Sequence, residues 1–166
     1  NQTAEDEFAA QLTGTVSTAS AENDFPVLAT GKETAEEVIM ERAKVATASW
    51  GKIAAADVFA SPDNYFIINY WPQAEYEAPG HIPGAYCFPP KTSLLSDAML
   101  KNLPTDKTIV VYCYTGQTSA QITAYLQILG YDAKSLLYGV NGFAYNSLAA
   151  HKYSAPATDY SAIIVK

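Results

Sequence analysis

The stretch that most constrains the fold is residues 108–130, because it is typical of a strand followed by a short loop and a helix. Its first part, Ile-Val-Val-Tyr, has no polar alternation and therefore predicts a strand buried on both faces of a parallel sheet. The helix is predicted from apolar residues spaced i, i+3, i+4 and i+7: Ile122, Tyr125, Leu126 and Leu129. Gly130 is placed to end this helix. In the loop, Gly116 can take a positive φ, and Thr118 or Ser119 can cap the helix.

Cys113 lies where the predicted strand meets the loop, facing the first turn of the predicted helix. Unpaired backbone N–H groups and the positive end of the helix dipole both favour a thiolate over a thiol at such a place. Cysteines in such positions have pKa values lowered from about 8.5 to roughly 3.5–7.5, and the thiolate is the nucleophile. The same N–H groups can hold an anion on the sulfur. The position therefore predicts a reactive catalytic cysteine, with an inert buried cysteine as the alternative.

Two further segments flank this stretch in a recognisable order. Upstream is Gly-His-Ile-Pro-Gly-Ala at residues 80–85, and downstream is Gly-Val-Asn-Gly-Phe at residues 139–143. With the Cys-x-x-Gly loop between them, residues 52–146 resemble the rhodanese homology domain. Alternating strands and helices also favour a parallel sheet with right-handed crossovers and helices on both faces. We therefore expect an α/β fold of the rhodanese-like type.

The resemblance implies a sulfurtransferase in which Cys113 attacks a sulfane sulfur and carries it as a persulfide. The residues that cradle this persulfide follow Cys113 in the loop: Tyr114, Thr115, Gly116, Gln117, Thr118 and Ser119. The implied partners are a small sulfur-containing donor and a thiol or protein acceptor. No metal or organic cofactor is needed, because covalent catalysis by the cysteine divides the transfer into two steps.

The sequence departs from the pattern of this family at two places that bear on the pocket. Thr118 occupies the position of the loop arginine that helps rhodaneses to hold anionic donors such as thiosulfate. Asn69 and Trp71 stand where an Asp and an Arg are common, and we expect them to form part of the pocket wall, with plain packing as the alternative for Trp71. Because charge-assisted hydrogen bonds are roughly twice as strong as neutral ones, doubly charged donors should bind weakly. The lost charges also motivate a second hypothesis, a catalytically weak rhodanese-like module that binds a partner or senses redox state.

Composition argues against several other classes of protein. The net charge is −7 and arginine occurs once in 166 residues, which argues against nucleic acid or an anionic membrane surface as partner. No apolar run reaches the length of about 18 residues that a membrane span requires, so no membrane span is expected. Two cysteines without zinc-ligand spacing predict neither a disulfide framework nor a metal site. Cysteine-dependent phosphatases need an arginine to clamp the phosphoryl oxygens, and Ser119 occupies its place here.

Three regions are expected along the chain. Residues 1–33 should be a flexible polar N-terminal segment, residues 34–150 the rhodanese-like domain with an extra N-terminal helix, and residues 151–166 a C-terminal extension. The extra helix is predicted from a capping box that starts at Thr34. A second helix is predicted over residues 93–100. The first region begins without methionine and resembles a polar tether, which favours export to the periplasm or cell envelope over a cytoplasmic location.

His81 and Cys87 are chemically versatile residues for which structural roles are expected. The resemblance gives His81 the role of joining a loop to the following strand, and nothing in the sequence places it beside Cys113. Cys87 lies in a predicted strand and is most simply a small buried apolar residue. Neither residue is therefore placed in the predicted site.

Overall fold

A parallel sheet covered by helices forms the centre of the fold. A computed structural model of the chain describes residues 5–18, 22–48 and 50–154. Its strands are β1 (Lys52–Ile53), β2 (Phe66–Asn69), β3 (Tyr86–Cys87), β4 (Ile109–Tyr112) and β5 (Ala133–Leu136). Its α-helices are α1 (Ala35–Ala48), α2 (Ala55–Ala60), α3 (Gln73–Glu77) and α4 (Gln117–Ile128). Short 3₁₀ helices occupy Ala9–Gln11, Pro62–Asn64, Met99–Asn102, Gly139–Gly142 and Tyr145–Ser147. The strand order is β1-β5-β4-β2-β3, and every neighbouring pair is parallel.

Successive residues of the central strands face opposite sides of this sheet. On β4, Val110 packs into the core that contains Val58 of α2, whereas Val111 packs into the core that contains Leu126 of α4. The apolar run of β4 shows no polar alternation because both of its faces are covered. Helices therefore lie on both faces, and the predicted α/β fold is confirmed.

Helix α4 ends as the sequence predicts, and three of its four predicted apolar residues pack in the core: Ile122, Leu126 and Leu129. Gly130 has a φ of 98°, and the N–H of Tyr131 reaches the carbonyl of Leu126 at 3.0 Å, the pattern of a glycine-terminated helix end. Tyr125, which we expected in the core, is 39% exposed. The helix also buries two hydroxyl residues, Ser119 and Thr123, and Ser119 lies over the cysteine loop, with its N–H 3.4 Å from Cys113 Sγ.

The helix predicted over residues 93–100 is wrong. The chain there makes successive turns and then the 3₁₀ helix Met99–Asn102. Ala98, within the predicted span, has a φ of −118° and a ψ of −141°, which are not helical, and its N–H closes a turn on the carbonyl of Leu95 at 3.0 Å. The turns bury Leu94 and Leu100 against the sheet, and this burial outweighs local helix propensity.

The extra N-terminal helix is α1, and it packs on α4. Its predicted capping box is confirmed: the N–H of Glu37 reaches Thr34 Oγ1 at 3.3 Å, and the N–H of Thr34 reaches a carboxylate oxygen of Glu37 at 3.3 Å. Arg42 joins the two helices by donating to the carbonyls of Gln127 at 2.6 Å and Ile128 at 3.3 Å. These carbonyls lie at the negative end of α4, where a guanidinium is favourable.

Residues 5–18 lie against the domain. The N–H of Phe8 bonds to the carbonyl of Phe143 at 3.0 Å, and the Phe8 ring stacks on Phe59 with centroids 4.5 Å apart. Thr13 and His81 form an antiparallel bridge through two backbone bonds of 2.9 Å. The polar composition of this segment gave no sign of these contacts.

Within the described ranges, the helices lack the length and apolar character that crossing a bilayer requires.

Candidate active site

Cys113 follows β4 directly and is 3% exposed. Gly116 is the N-cap of α4, with a φ of 86° that turns the chain from the strand into the helix. The N–H of Ser119, in the first turn of α4, points at Cys113 Sγ at 3.4 Å. A capping oxygen normally accepts this N–H. The sulfur therefore stands at the position of a helix-capping group, where the dipole and an N–H group favour negative charge.

The predicted capping by Thr118 or Ser119 is wrong. No side chain caps α4 from its N-cap, and Thr118 is exposed. The hydroxyl of Ser119 instead reaches the carbonyl of Gly116 at 3.1 Å and lies 3.6 Å from the Cys113 sulfur. The reason is that the helix begins two residues earlier than a Thr118 cap requires and three earlier than a Ser119 cap requires, because Gly116 can supply the turn.

The 3₁₀ helix Gly139–Gly142 holds the other side of the cysteine loop. The N–H of Val140 bonds to the carbonyl of Cys113 at 3.0 Å, and Asn141 bonds to the carbonyl of Tyr114 through its N–H at 3.0 Å and its side-chain Nδ2 at 2.7 Å. Gly139 leaves no room for a side chain, because a Cβ there would lie 2.2 Å from the carbonyl oxygen of Cys113. The loop backbone is therefore fixed from both sides.

Tyr114 forms the centre of an aromatic stack beside the cysteine. Its ring stacks on Trp71 with centroids 4.7 Å apart and lies 4.3 Å from the ring of His151. Its hydroxyl donates to a carboxylate oxygen of Glu75 at 2.5 Å. Burial first, and then this hydrogen bond, raise the pKa of Tyr114 far above its ordinary value. Tyr114 therefore stays a neutral donor.

The other predicted site residues occupy two different environments. Gln117 and Thr118 are exposed, and the hydroxyl of Thr115 reaches Gln117 Oε1 at 3.3 Å. Asn69 and Trp71, in contrast, are almost completely inaccessible, at 0% and 1% exposure. Asn69 donates to the hydroxyl of Tyr112 at 2.8 Å, and Trp71 lies beneath Tyr114. Trp71 is therefore packed under Tyr114 rather than open to solvent.

Three side chains from other elements make hydrogen bonds to this loop, a hydroxyl, an amide and a carboxylate: Ser135, Asn141 and Glu75. The ring of His151 packs on Tyr114 without a hydrogen bond to it in the described part of the chain. None of these three hydrogen-bonding groups is a Lys or Arg side chain that could stand in for the arginine whose place Thr118 takes. Within the described ranges, no group of three His, Cys, Asp or Glu side chains is arranged to hold a metal ion. The groups directed at the Cys113 sulfur are thus the N–H and the hydroxyl of Ser119 at the start of α4.

The second cysteine, Cys87, has a different environment. Its thiol lies 3.7 Å from the carbonyl of Trp71, and burial, together with the nearby charge of Glu77, raises its pKa to about 11. A thiol with this pKa is protonated and poorly nucleophilic at neutral pH. Both cysteines are free thiols.

His81 is buried and joins two loops. One ring nitrogen lies 2.7 Å from the carbonyl of Tyr76, and the other lies 2.9 Å from the carbonyl of Thr15. The ring also stacks on Tyr76 with centroids 3.6 Å apart. Both nitrogens are thus occupied by backbone carbonyls, which fits the expected structural role.

Comparison with known proteins identifies the family to which this arrangement belongs. A family model described as "Rhodanese-like domain" matches residues 56–146, more than half of the chain. The protein belongs to the rhodanese-like domain family. No curated protein matches this rhodanese-like chain.

Several solved structures resemble this rhodanese-like protein. A rhodanese-related protein from Thermoplasma volcanium is 26% identical, with 54% of this chain and 85% of that chain covered and a TM-score of 0.48. A rhodanese-like domain protein from Staphylococcus aureus is 22% identical, with 55% and 89% covered and a TM-score of 0.48. A protein of unknown function from Rhodopseudomonas palustris, described as a possible tyrosine phosphatase, is 21% identical, with 65% and 89% covered and a TM-score of 0.43.

Three residues of this rhodanese-like site were not predicted as site residues: Glu75, Ser135 and Asn141. Ser135 lies on β5 and pairs in register with Val111 of β4, so its side chain reaches the cysteine loop from the neighbouring strand. Its only signal in the sequence is a small polar residue inside a buried strand. Asn141 lies in the flanking segment at residues 139–143 and Glu75 lies in α3, but the contacts of both depend on tertiary packing.

Proposed function

We propose that this rhodanese-like protein is a sulfurtransferase that carries sulfane sulfur as a persulfide on Cys113. The observation that carries the proposal is the N–H of Ser119 aimed at Cys113 Sγ at 3.4 Å from the first turn of α4. This geometry supplies both the charge stabilisation that a thiolate needs and a backbone site for the sulfur that it acquires.

The reaction has two steps in which electrons and atoms balance. The Cys113 thiolate attacks the sulfane sulfur of the donor, the bond between that sulfur and the rest of the donor breaks, and its electron pair leaves with the donor remnant. The acceptor, a thiolate or another nucleophile, then attacks the outer sulfur of the persulfide. The Cys113–sulfur bond breaks, and its electron pair restores the thiolate.

We propose low-molecular-weight persulfides or polysulfides, rather than thiosulfate, as the preferred donors. The hydrogen bonds that other described side chains make to the loop come from a hydroxyl, an amide and the carboxylate of Glu75, which is 2.5 Å from the Tyr114 hydroxyl. Thiosulfate carries two negative charges, and a charged donor gains less from neutral hydrogen-bonding groups than from a guanidinium. A carboxylate near the loop further disfavours a dianion.

The test is mass spectrometry of the full chain after incubation with thiosulfate and, separately, with glutathione persulfide. We expect one added sulfur on Cys113, with more from the persulfide. Cys113→Ser should abolish the addition, whereas the matched variant Cys87→Ser should retain it, since Cys87 is a buried thiol with a pKa of about 11. Addition that survives in Cys113→Ser would overturn the mechanism.

The second candidate is a rhodanese-like module that binds a partner or senses redox state without efficient turnover. The observation that favours it is the 3% exposure of Cys113, which limits access to the sulfur. This candidate moves ahead if Cys113 is reduced and reacts with iodoacetamide yet gains no sulfur from either donor.

A further inference from the structure

The Cys113 sulfur has a hydroxyl neighbour that is itself linked to a second hydroxyl. Cys113 Sγ lies 3.6 Å from Ser119 Oγ, and Ser119 Oγ lies 2.8 Å from Ser135 Oγ. Ser119 is fully buried and Ser135 is 8% exposed. Three elements thus meet here, since Cys113 follows β4, Ser119 belongs to α4 and Ser135 belongs to β5.

The hydrogen bond between the two serines can run in either direction. A hydroxyl has one donor hydrogen and two acceptor lone pairs, so rotation about the C–O bond reverses the donor and acceptor roles. When Cys113 is a thiol, its S–H donates to Ser119 Oγ, and Ser119 donates to Ser135 Oγ or to the carbonyl of Gly116 at 3.1 Å. A thiolate, in contrast, needs Ser119 to donate to the sulfur.

We propose that Ser135 is a positioning residue for the Cys113 thiolate. When the thiol proton has left to solvent, Ser119 turns its hydroxyl hydrogen toward the sulfur, and Ser135 donates to the oxygen of Ser119. The sulfur then accepts two hydrogen bonds from Ser119, one from the N–H and one from the hydroxyl. The two serines only rotate, so neither gains nor loses a proton. Reversal of the hydrogen bond between the two serines therefore gives the thiolate an additional donor, in a loop that offers it no positively charged side chain of its own.

Ser135 is required because Ser119 has a competing partner. The carbonyl of Gly116 also accepts the Ser119 hydroxyl, at 3.1 Å, and holds the hydrogen away from the sulfur. A hydrogen bond donated by Ser135 to the Ser119 oxygen polarises the Ser119 hydroxyl, and a polarised donor gains more from the charged thiolate than from the neutral carbonyl of Gly116. Without Ser135, the Ser119 hydroxyl is a weaker donor to the sulfur, and the carbonyl of Gly116 competes for it more effectively.

Ser135 also has a path to water. It lines a groove of about 630 Å³ whose walls include Thr123, Lys52 and Tyr138. In the thiol state the Ser135 hydroxyl can donate into this groove, so neither orientation leaves a hydroxyl hydrogen unpaired. The groove is formed partly by five residues that lie outside the part of the chain that matches the family: Ala46, Thr47, Trp50, Gly51 and Lys52.

The test measures the rate of Cys113 alkylation by iodoacetamide against pH, resolved by peptide mass spectrometry. Ser135→Ala should slow alkylation at neutral pH about three- to tenfold, as expected for losing the neutral hydrogen bond between the two serines, and should move the midpoint of the profile to higher pH. Ser135→Thr keeps the hydroxyl and should restore the rate to within about twofold. Lys52, Lys134 and Glu75, which carry charge on the neighbouring elements β1, β5 and α3, are unchanged in every variant.

Thr123→Val is the matched control. Thr123 lies on the same buried face of α4 and lines the same groove, but its hydroxyl has no hydrogen-bond partner. Removing it should leave the alkylation profile unchanged. Thermal denaturation of each variant verifies that the protein is folded.

A double substitution provides the stricter test. In a Ser119→Ala background, Ser135→Ala should have no further effect on the profile, because Ser135 acts only through Ser119. Equal effects of Ser135→Ala and Thr123→Val, or an unmoved midpoint with a slower rate at every pH, would overturn the inference. The inference about Ser135 rests on the proposed function, because it takes Cys113 as the reacting thiol. Since alkylation requires no sulfur donor, the alkylation profile tests the role of Ser135 independently of the sulfur-transfer assay.

Discussion

Asn141 connects the cysteine loop to the C-terminal segment and is the residue whose removal we expect to be most informative about stability. It is fully buried. Its Nδ2 donates to the carbonyls of Tyr114 at 2.7 Å and His151 at 3.0 Å, and its Oδ1 accepts the N–H of Tyr153 at 2.6 Å. Asn141→Ala removes all three of these side-chain hydrogen bonds, so the two carbonyls and the N–H lose the Asn141 side chain as their partner.

The magnitude follows from the number of bonds. At about 0.5–1.5 kcal/mol for each net hydrogen bond, the three together are worth about 1.5–4.5 kcal/mol of the free energy of unfolding. In a chain of this size 1 kcal/mol corresponds to roughly 2–4 °C, so Tm should fall by about 5–15 °C. Once the C-terminal segment has separated from the loop, water can replace some of the lost hydrogen bonds. The loss of unfolding free energy and the fall in Tm should therefore lie in the lower half of these ranges.

Urea denaturation followed by circular dichroism measures this loss. Asn141→Asp keeps the volume and the acceptor but directs a carboxylate at two carbonyl oxygens, so it should be at least as damaging at neutral pH. Asn64→Ala, at an exposed asparagine, should change the free energy of unfolding by less than about 0.5 kcal/mol. If Asn141→Ala lost no more stability than Asn64→Ala, the interpretation of Asn141 as the connection would be refuted.

Three further outcomes are expected. Gly139→Ala should destabilise the fold by more than about 2 kcal/mol in urea denaturation, because its Cβ would lie 2.2 Å from the carbonyl oxygen of Cys113 and its φ is +55°; a neutral result would mean that the loop yields easily. Because burial raises the pKa of Cys87 to about 11, the unfolded chain loses this proton first, so stability should fall as pH rises from about 9 to 11. This fall should be smaller in Cys87→Ala, and equal slopes would contradict the assignment. His81→Leu should cost about 1–3 kcal/mol, since two backbone carbonyls lose a buried partner, and a neutral result would show that water replaces the ring.

Patterns within a single element were the most predictable part of this chain. The apolar run of β4, the capping box at Thr34 and the helix end at Gly130 all depend on neighbouring residues, and each was found where the sequence predicts it. The segment at residues 93–100 was mispredicted because its leucines are satisfied by packing on the sheet through turns. Local spacing could not distinguish that arrangement from a helix.

The partners of the cysteine loop were less predictable because they come from distant parts of the chain. Cys113, its flanking glycine and the residues after it form one continuous motif, so the loop could be located by sequence alone. Ser135, Glu75 and the ring of His151 reach the loop only after β5, α3 and the C-terminal segment have packed. Their side chains carry no spacing signal relative to the cysteine.

The hydrogen bond from the Ser119 amide to the Cys113 sulfur also gives the protein a built-in reporter. The ¹H and ¹⁵N frequencies of a backbone amide respond to the charge and polarisability of the atom that accepts its hydrogen. At 3.4 Å from the sulfur, the Ser119 amide resonance should differ among the thiol, thiolate and persulfide states. Nuclear magnetic resonance of a single labelled amide could thus follow the chemical state of the sulfur through a reaction cycle, with no dye, chromophore or coupled enzyme.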